Sequence, residues 1–143
     1  MSTGADFSRT IQQWVQERQQ ALQQVARSSI QDLAEAVVEG TRVDTGNLRA
    51  QWQPSIGAPA LTLAPQGHEP LATLSVMLGS LPVGTVFYLI NNAAYAMRRE
   101  YGFVGVDSLG RYYNDAGDFN VQTQIARWPS FVAKNAQEFG FGL

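Results

Sequence analysis

The fold is decided by residues 7–39, FSRTIQQWVQERQQALQQVARSSIQDLAEAVVE, in which apolar residues recur mostly at steps of three and four. This period is typical of an amphipathic helix with one buried face. No proline interrupts the pattern, Asp6 or Ser8 is placed to cap its start, and Gly40 stands where a left-handed terminating residue belongs. Roughly 33 residues at about 1.5 Å each span about 50 Å. A compact domain of this size has a radius of gyration of only about 14–15 Å, so we expect the helix to overhang its own globule.

The middle of this helix, residues 16–24 (QERQQALQQ), offers only Ala21 and Leu22 as apolar side chains. The stripe that faces the core therefore thins here. A bend or a packing partner from another subunit fits this pattern, and so does a solvated helix whose middle makes few contacts with the core.

The next segment, residues 41–102, contains short elements separated by turns. Asp44 or Thr45 is placed to cap a short helical turn that holds Leu48, and Gly46 relaxes the backbone. Trp52 and Ile56 then alternate with polar residues as in a strand. Pro54 and Pro59 are predicted to break this strand, and residues 57–70 to form an exposed loop.

The chain then predicts a helix over residues 71–81, started by Pro70, in preference to a strand, and a buried strand over 85–90. Asn91 or Asn92 is predicted to cap a short helix over 93–101, which Gly102 ends. Turn signals in residues 103–120 indicate a hairpin or an ordered loop. A last helix is expected over 121–139, with Pro129 as a kink or as its true start.

These elements predict an α+β fold in which the long N-terminal helix and the C-terminal helix pack on a small, mostly antiparallel β-sheet. At 143 residues the chain is expected to form one domain. We divide it into the long helix (1–40), the sheet with short helices (41–102), an extended loop or hairpin (103–120) and the C-terminal helix (121–139).

Composition excludes several classes of function. The chain has no cysteine, which excludes disulfides, thiolate zinc sites and cysteine nucleophiles. Its formal charge of −2 lacks the basic excess that tight binding to nucleic acid requires. There is no basic-then-apolar leader and no run of eighteen apolar residues, so neither secretion nor a membrane span is predicted.

No group of residues has the pattern of a catalytic or cofactor site. His68, the only histidine, is interpreted as a surface residue because no nucleophile-elbow sequence surrounds it. Asp107, Asp115 and Asp118 match no calcium loop and are interpreted as solvated turn residues. Phosphate-binding glycine motifs are missing. We therefore predict a protein that is not an enzyme and has no cofactor or metal.

Two stretches, taken in order, resemble a known family. VDTGNLRAQW (43–52) and INNAAYAMRREYG (90–102) are similar to segments of the small neck, or tail-completion, proteins of long-tailed bacteriophages, which include minor tail protein Z of lambdoid phages. There a Val-Asp-Thr-Gly-x-Leu-Arg turn precedes a tryptophan-bearing strand, and an Asn-x-x-Tyr-Ala-x-x-x-Glu-Tyr-Gly segment closes the central strand. The matching residues are Asp44, Thr45, Gly46, Leu48, Arg49 and Trp52, followed by Asn92, Tyr95, Ala96, Glu100, Tyr101 and Gly102.

The likeness covers most of the chain, because the long helix and the helix that carries Trp128 also occupy the expected places. One departure is residues 103–120, where such proteins often have an Ala-Pro-containing loop. This departure leaves the partner contacts of the loop unassigned.

The resemblance implies a structural protein of the virion neck or tail, made in the cytoplasm of the bacterial host. It would form a homo-oligomeric ring, a hexamer, between the capsid-side connector or stopper and the tail terminator or tail tube, and DNA would pass through its lumen without specific binding. Rings need contacts between two different surfaces of neighbouring subunits. In our hypothesis Tyr95 and Tyr101 pack inward, and Arg98, Arg99 and Glu100 face the neighbouring subunit. The simplest alternative is that these three residues form an exposed helix face, and Glu100 could also pair with Arg49 or with an arginine of another copy.

Three other functions are weighed against this one. A tail terminator would also be a ring, so chain length does not separate the two. A coiled-coil interaction module would require strict heptads through residues 16–24, and they are missing. A small hydrolase that uses His68 is the least favoured alternative.

Overall fold

The N-terminal helix α1 runs from Gly4 to Gly40 without interruption in the computed structural model, which describes residues 3–43, 47–82 and 84–141. Its cap is Thr3, whose hydroxyl accepts a hydrogen bond from the Asp6 amide at 3.3 Å. The Asp6 carboxylate accepts one from the Thr3 amide at 3.2 Å. This is a capping box, so the prediction of Asp6 or Ser8 as the N-cap was wrong.

The C-terminal end of α1 also differs from the prediction. Gly40 is the last helical residue, and the chain leaves through Thr41 in an extended conformation with φ of −71° rather than through a left-handed glycine. The glycine is needed for packing, because a Cβ atom on Gly40 would collide with the side chain of Asn120. Asn120 Nδ2 donates to the carbonyl of Val37 at 2.9 Å, which brings it this close.

The remaining elements follow the expected order. Along the chain they are the helix α2 (Asn47–Ala50), the strand β1 (Trp52–Ile56), the helix α3 (Pro70–Leu78), the strand β2 (Phe87–Asn91), the helix α4 (Ala96–Tyr101), the strands β3 (Phe103–Val106) and β4 (Tyr112–Asp115), and the helices α5 (Asn120–Ala126) and α6 (Trp128–Glu138). The strands β3 and β4 form a hairpin.

The described strands form two separate antiparallel sheets of two strands each. In the first, β1 pairs with β2 and Trp52 lies opposite Asn91. Pro54 lies in the middle of β1, opposite Leu89, so the prediction that it breaks the strand was wrong. Each strand of a two-stranded sheet has a free edge, and proline is tolerated where its nitrogen faces that edge.

The hydrophobic core lies between α1, α3 and the β1–β2 sheet. Its fully buried members are Ala34 of α1, Leu74 and Leu78 of α3, and Leu81. The polar middle of α1, residues 16–24, is hydrogen-bonded to the segment that follows α3, since Gln23 Nε2 donates to the Leu81 carbonyl at 3.0 Å. This part of the chain does not interrupt the helix, which is continuous from Gly4 to Gly40.

The helix α6 packs along α1 in the opposite direction. The Asn135 side chain, 2% exposed, donates to Ser29 Oγ at 3.2 Å and to Asp32 Oδ2 at 2.9 Å. Further along, the guanidinium of Arg18 stacks on the Phe141 ring, 4.0 Å from its centroid. Residues nearer the C-terminus of the α6 segment thus contact residues nearer the N-terminus of α1, so the two helices are antiparallel. Pro129 lies in the first turn of α6, which confirms it as the start of that helix.

The α+β fold is thus confirmed, with a long N-terminal helix, a C-terminal helical segment and small antiparallel sheets. The hairpin predicted for residues 103–120 is confirmed as β3–β4, in which Phe103 pairs with Asp115.

Candidate functional site

The segment between β2 and α4 is fastened by two asparagine side chains. Asn91 Nδ2 donates to the Leu48 carbonyl at 2.7 Å, and Asn91 Oδ1 accepts from the Ala93 amide at 3.0 Å. Asn92 Nδ2 donates to the carbonyls of Ala60 and Thr62, at 3.0 and 2.8 Å. Asn91 therefore holds α2 and its own turn, and Asn92 holds the loop that follows β1.

Neither asparagine caps the following helix. The helix α4 begins at Ala96 with Tyr95 at its N-cap position and no side-chain cap, so the predicted helix over 93–101 started three residues too early. Asn91 closes its own turn at Ala93 instead. The predicted end was right, since Gly102 follows α4 with φ of 84°, a conformation that favours glycine.

Glu100 links α4 to the N-terminus of α5. Its carboxylate accepts hydrogen bonds from the backbone amides of Val121 at 2.9 Å and Gln122 at 3.1 Å. The helix dipole and the amides left without intrahelical partners both favour a negative charge at this position. The structure therefore gives Glu100 a partner within its own chain, and Arg49 is not that partner.

The other members of the second stretch lie around α4. Tyr95 and Tyr101 are 38% and 53% exposed, so the expectation that they pack inward was wrong. The guanidinium of Arg98 lies 3.9 Å from the centroid of the Phe103 ring, a cation–π contact. A role for Arg98 and Arg99 in a subunit interface stays a prediction.

The first stretch holds the C-terminal end of α1. Arg49 Nη2 donates to the carbonyls of Glu39 and Thr41, both at 2.9 Å. Trp52 Nε1 donates to Thr41 Oγ1 at 2.8 Å, and that hydroxyl donates to the Val37 carbonyl at 2.7 Å. These bonds satisfy carbonyls that a helix leaves without partners at its end. Asp44, Thr45 and Gly46, with their predicted capping role, lie outside the described residues.

The two stretches meet at one place, which we call the α4 corner: residues 47–52 and 91–102. Asn47 Nδ2 donates to the Tyr95 hydroxyl at 3.2 Å, beside the bond between Asn91 and Leu48. Side chains of both stretches, Trp52 and Tyr101 among them, line an open cavity of about 230 Å³. A largely apolar lining and this small volume suit the packing of a protein side chain.

Several residues beside the corner make contacts that no sequence motif indicates. Thr41 and Asn120 hold the end of α1, yet each is a single polar residue outside the two stretches. The Asp118 carboxylate forms an ion pair with Arg42 at 2.6 Å, which joins the segment after α1 to the segment after the hairpin. Only the three-dimensional packing reveals these links.

Two titratable residues outside the corner, His68 and Asp107, have partners within the chain. His68 Nε2 lies 2.8 Å from the Trp52 carbonyl. Asp107 organises the hairpin turn: hydrogen bonds from the backbone and side chain of Arg111, the Leu109 amide and the Tyr113 hydroxyl hold the pKa of its carboxyl below the usual 3.8, against the opposing effect of desolvation. Among residues 3–43, 47–82 and 84–141, no three carboxylate or histidine groups converge as metal ligands.

Two further findings describe the chain as a whole. None of the helices in the described part of the chain is both long and apolar enough to cross a bilayer. Comparison with family models, curated proteins and solved structures finds no match to this sequence or fold.

Proposed function

We propose that this protein is a structural component of the head-to-tail junction of a long-tailed bacteriophage, a neck or tail-completion protein that assembles as a ring of six copies. The observation that carries the proposal is the meeting of two sequence stretches, about forty residues apart, in the α4 corner. The hydrogen bonds from Asn47 to Tyr95 and from Asn91 to Leu48 join them. Residues that resemble one family pattern thus form one structural unit.

The surfaces next to the corner suit contacts between copies. Met97 and Tyr101 lie one turn apart on α4 and are 69% and 53% exposed. On the hairpin, Val104, Val106 and Tyr112 point to the same side and are also exposed. Two distinct apolar surfaces on different elements support the contacts between unlike surfaces that a closed ring requires.

The charge of the chain is compatible with a ring through which DNA passes. A formal charge of −2 over 143 residues supplies no excess of cations for phosphate neutralisation. DNA in the lumen would therefore slide past the protein without being held.

The test uses charge placed on the exposed face of α4. Native mass spectrometry of the protein, alone and mixed with connector and tail-tube proteins encoded beside it, is expected to show a closed ring of six copies. Met97→Glu should abolish the ring and, at a concentration too low for assembly, leave the thermal unfolding midpoint unchanged, because this side chain is exposed in the single chain. Arg98 is less suitable, since its reversal would also remove the contact with Phe103.

The matched control is Val76→Glu, which places the same charge on a similarly exposed apolar residue of α3. It should assemble as the wild type does. A chain that forms no ring, either alone or with the junction proteins, would overturn the proposal. Assembly that survives Met97→Glu would remove α4 from the interface.

A further inference from the structure

The part of α1 that projects beyond α6 carries an exposed apolar stripe. We define the α1 stripe as Phe7, Ile11, Trp14 and Val15, which are 66%, 45%, 59% and 39% exposed. Their steps of three and four residues place them on one helix face. The stripe contains two large aromatic side chains, and the largest apolar patch on a protein surface is often a contact site.

The α1 stripe continues an interface that the structure already contains. Arg18, which stacks on Phe141, and Ser29, which bonds to Asn135, follow Ile11 and Val15 on the same face at helical spacing. The helix α6 covers this face and runs antiparallel to α1. Gly140 and Phe141, which follow α6, extend this cover as far as Arg18. A second antiparallel helix on the stripe would extend the layer that α6 begins.

We propose that a second copy of this chain covers the α1 stripe, and that the two projecting helix segments pair antiparallel around a two-fold axis at Ile11. Phe141 occupies the face at Arg18, so the pair must centre on the N-terminal side of that residue. A centre at residue 11 sets Phe7 opposite Val15 of the other copy, and Trp14 opposite Ser8. Large side chains thereby face smaller ones, as in close helix packing.

Orientation and charge favour this arrangement. A parallel pair on the same face would continue into the space that α6 fills from Arg18 onward. Antiparallel pairing avoids this overlap and opposes the two helix dipoles. The nearby charges do not oppose it, because Arg9 projects from the far side of the helix and Glu17 faces residue 5, an alanine, of the other copy.

The exposed area sets the strength of the pair. From their exposed fractions, the four side chains of the stripe offer about 400 Å² per copy, or about 800 Å² for the pair, given that large aromatic residues bury about 150–250 Å² each. This is below the roughly 1,200 Å² of standard stable interfaces. We therefore expect a pair that dissociates on dilution through the micromolar range.

This inference does not rest on the proposed ring. A two-fold contact closes on itself and does not propagate around a ring, so the pair and the ring use different surfaces. Their masses, two copies and six copies, also separate the two results.

The first experiment measures mass against concentration by sedimentation equilibrium. In the Met97→Glu background, in which no ring forms, the chain should change from one copy to two as the concentration rises. Ile11→Glu should weaken this association at least tenfold, because it sets two carboxylates against each other at the axis. The control Gln16→Glu places the same charge on the opposite face of the same helix and should leave association unchanged.

The second experiment tests the register by disulfide formation, which is clean because the native chain has no cysteine. Under mild oxidation Ile11→Cys should cross-link to itself. Phe7→Cys alone should not, whereas a mixture of Phe7→Cys and Val15→Cys should form the mixed dimer. Self-linkage of Phe7→Cys would show a parallel pair, and a chain that stays monomeric at high concentration would show that no copy covers the stripe; either result overturns the proposal.

Discussion

The carboxylate of Glu100 is committed to the first turn of α5, where it accepts hydrogen bonds from Val121 and Gln122. A residue that resembles part of a family motif therefore has a role within one chain: it joins the end of α4 to the C-terminal helices. Two backbone bonds reinforce this junction, since the Asp118 amide donates to the Arg99 carbonyl at 2.7 Å and the Phe119 amide to the Glu100 carbonyl at 3.0 Å.

Removal of this carboxylate should therefore destabilise the folded chain. Glu100→Ala leaves two amides of α5 without an acceptor, and we expect a loss of about 1–2 kcal/mol in the free energy of unfolding, as for other helix caps. Glu100→Gln should lose less, because its amide oxygen can still accept one bond. Urea denaturation followed by circular dichroism measures both losses.

Glu69 provides the control for this prediction. It occupies the N-cap position of α3 but makes no capping hydrogen bond through its side chain. Glu69→Ala should therefore shift the unfolding midpoint much less than Glu100→Ala. Equal losses at the two positions would show that general charge at helix N-termini, and not the observed bonds of Glu100, accounts for the effect.

At the scale of elements, the hairpin β3–β4 is held against the end of α4 by two glycines that cross at close range. A Cβ atom on Gly102 would collide with the backbone oxygen of Asp115, and one on Gly117 would collide with the Gly102 amide nitrogen. Both also have φ near 83°, where a side chain is strained. This close contact holds the base of the β3–β4 hairpin against the C-terminal end of α4.

Alanine substitutions separate these two effects. Gly102→Ala adds a backbone collision to an unfavourable φ, so we expect it to cost about 2–4 kcal/mol, the sum of strain and overpacking. Gly110→Ala, at φ of 80° with open space around it, should cost only about 1 kcal/mol. Thermal and urea unfolding of the two variants provides the comparison, and similar losses would refute the importance of the crossing.

Hydrophobic periodicity and turn signals in the sequence predicted most helices and strands. The residues at which these elements begin and end depend on contacts between distant parts of the chain, which a sequence does not show. The periodicity of α1, the proline at the start of α3 and the turn signals of the hairpin each depend on local geometry. The role of Gly40 depended on Asn120, eighty residues away, and Pro54 was tolerated because β1 has only one partner strand. Neither relation is local.

The candidate site was predicted in part. Its two stretches were identified from their residues, but their meeting through Asn47 and Tyr95 was not. The exposure of Tyr95 and Tyr101 was also missed, because aromatic residues in a short helix are usually assigned to the core. Six residues of α4 complete fewer than two turns, which is too short for periodicity to tell a buried face from an exposed one.

At the scale of the whole molecule, the chain divides into a packed body and a projecting helix. The first buried residue of α1 in the described chain is Val25, at 8% exposed, although α1 begins at Gly4. The segment from residue 4 to residue 17 extends about 20 Å, at about 1.5 Å per residue. Such a segment contributes little to the core, and its apolar stripe is available for contact with another molecule.

This division predicts that removal of residues 1–16 leaves the body folded. The truncated chain retains Arg18, which contacts Phe141, and every residue of the core. Its free energy of unfolding should lie within about 1 kcal/mol of the full chain, since the side chains of residues 3–16 are exposed. The measurement needs a protein concentration low enough to dissociate pairs, because association stabilises the folded state.

A substitution further along α1 provides the contrast. Val25→Ala removes two buried methyl groups and should cost about 1–3 kcal/mol, whereas the loss of sixteen residues from the projecting end should cost less than this one change. The same truncation should abolish the dimer that forms through the α1 stripe, as measured by sedimentation. Ring assembly through α4 should remain. Unfolding of the truncated chain would show instead that the projecting helix is needed to hold the body together.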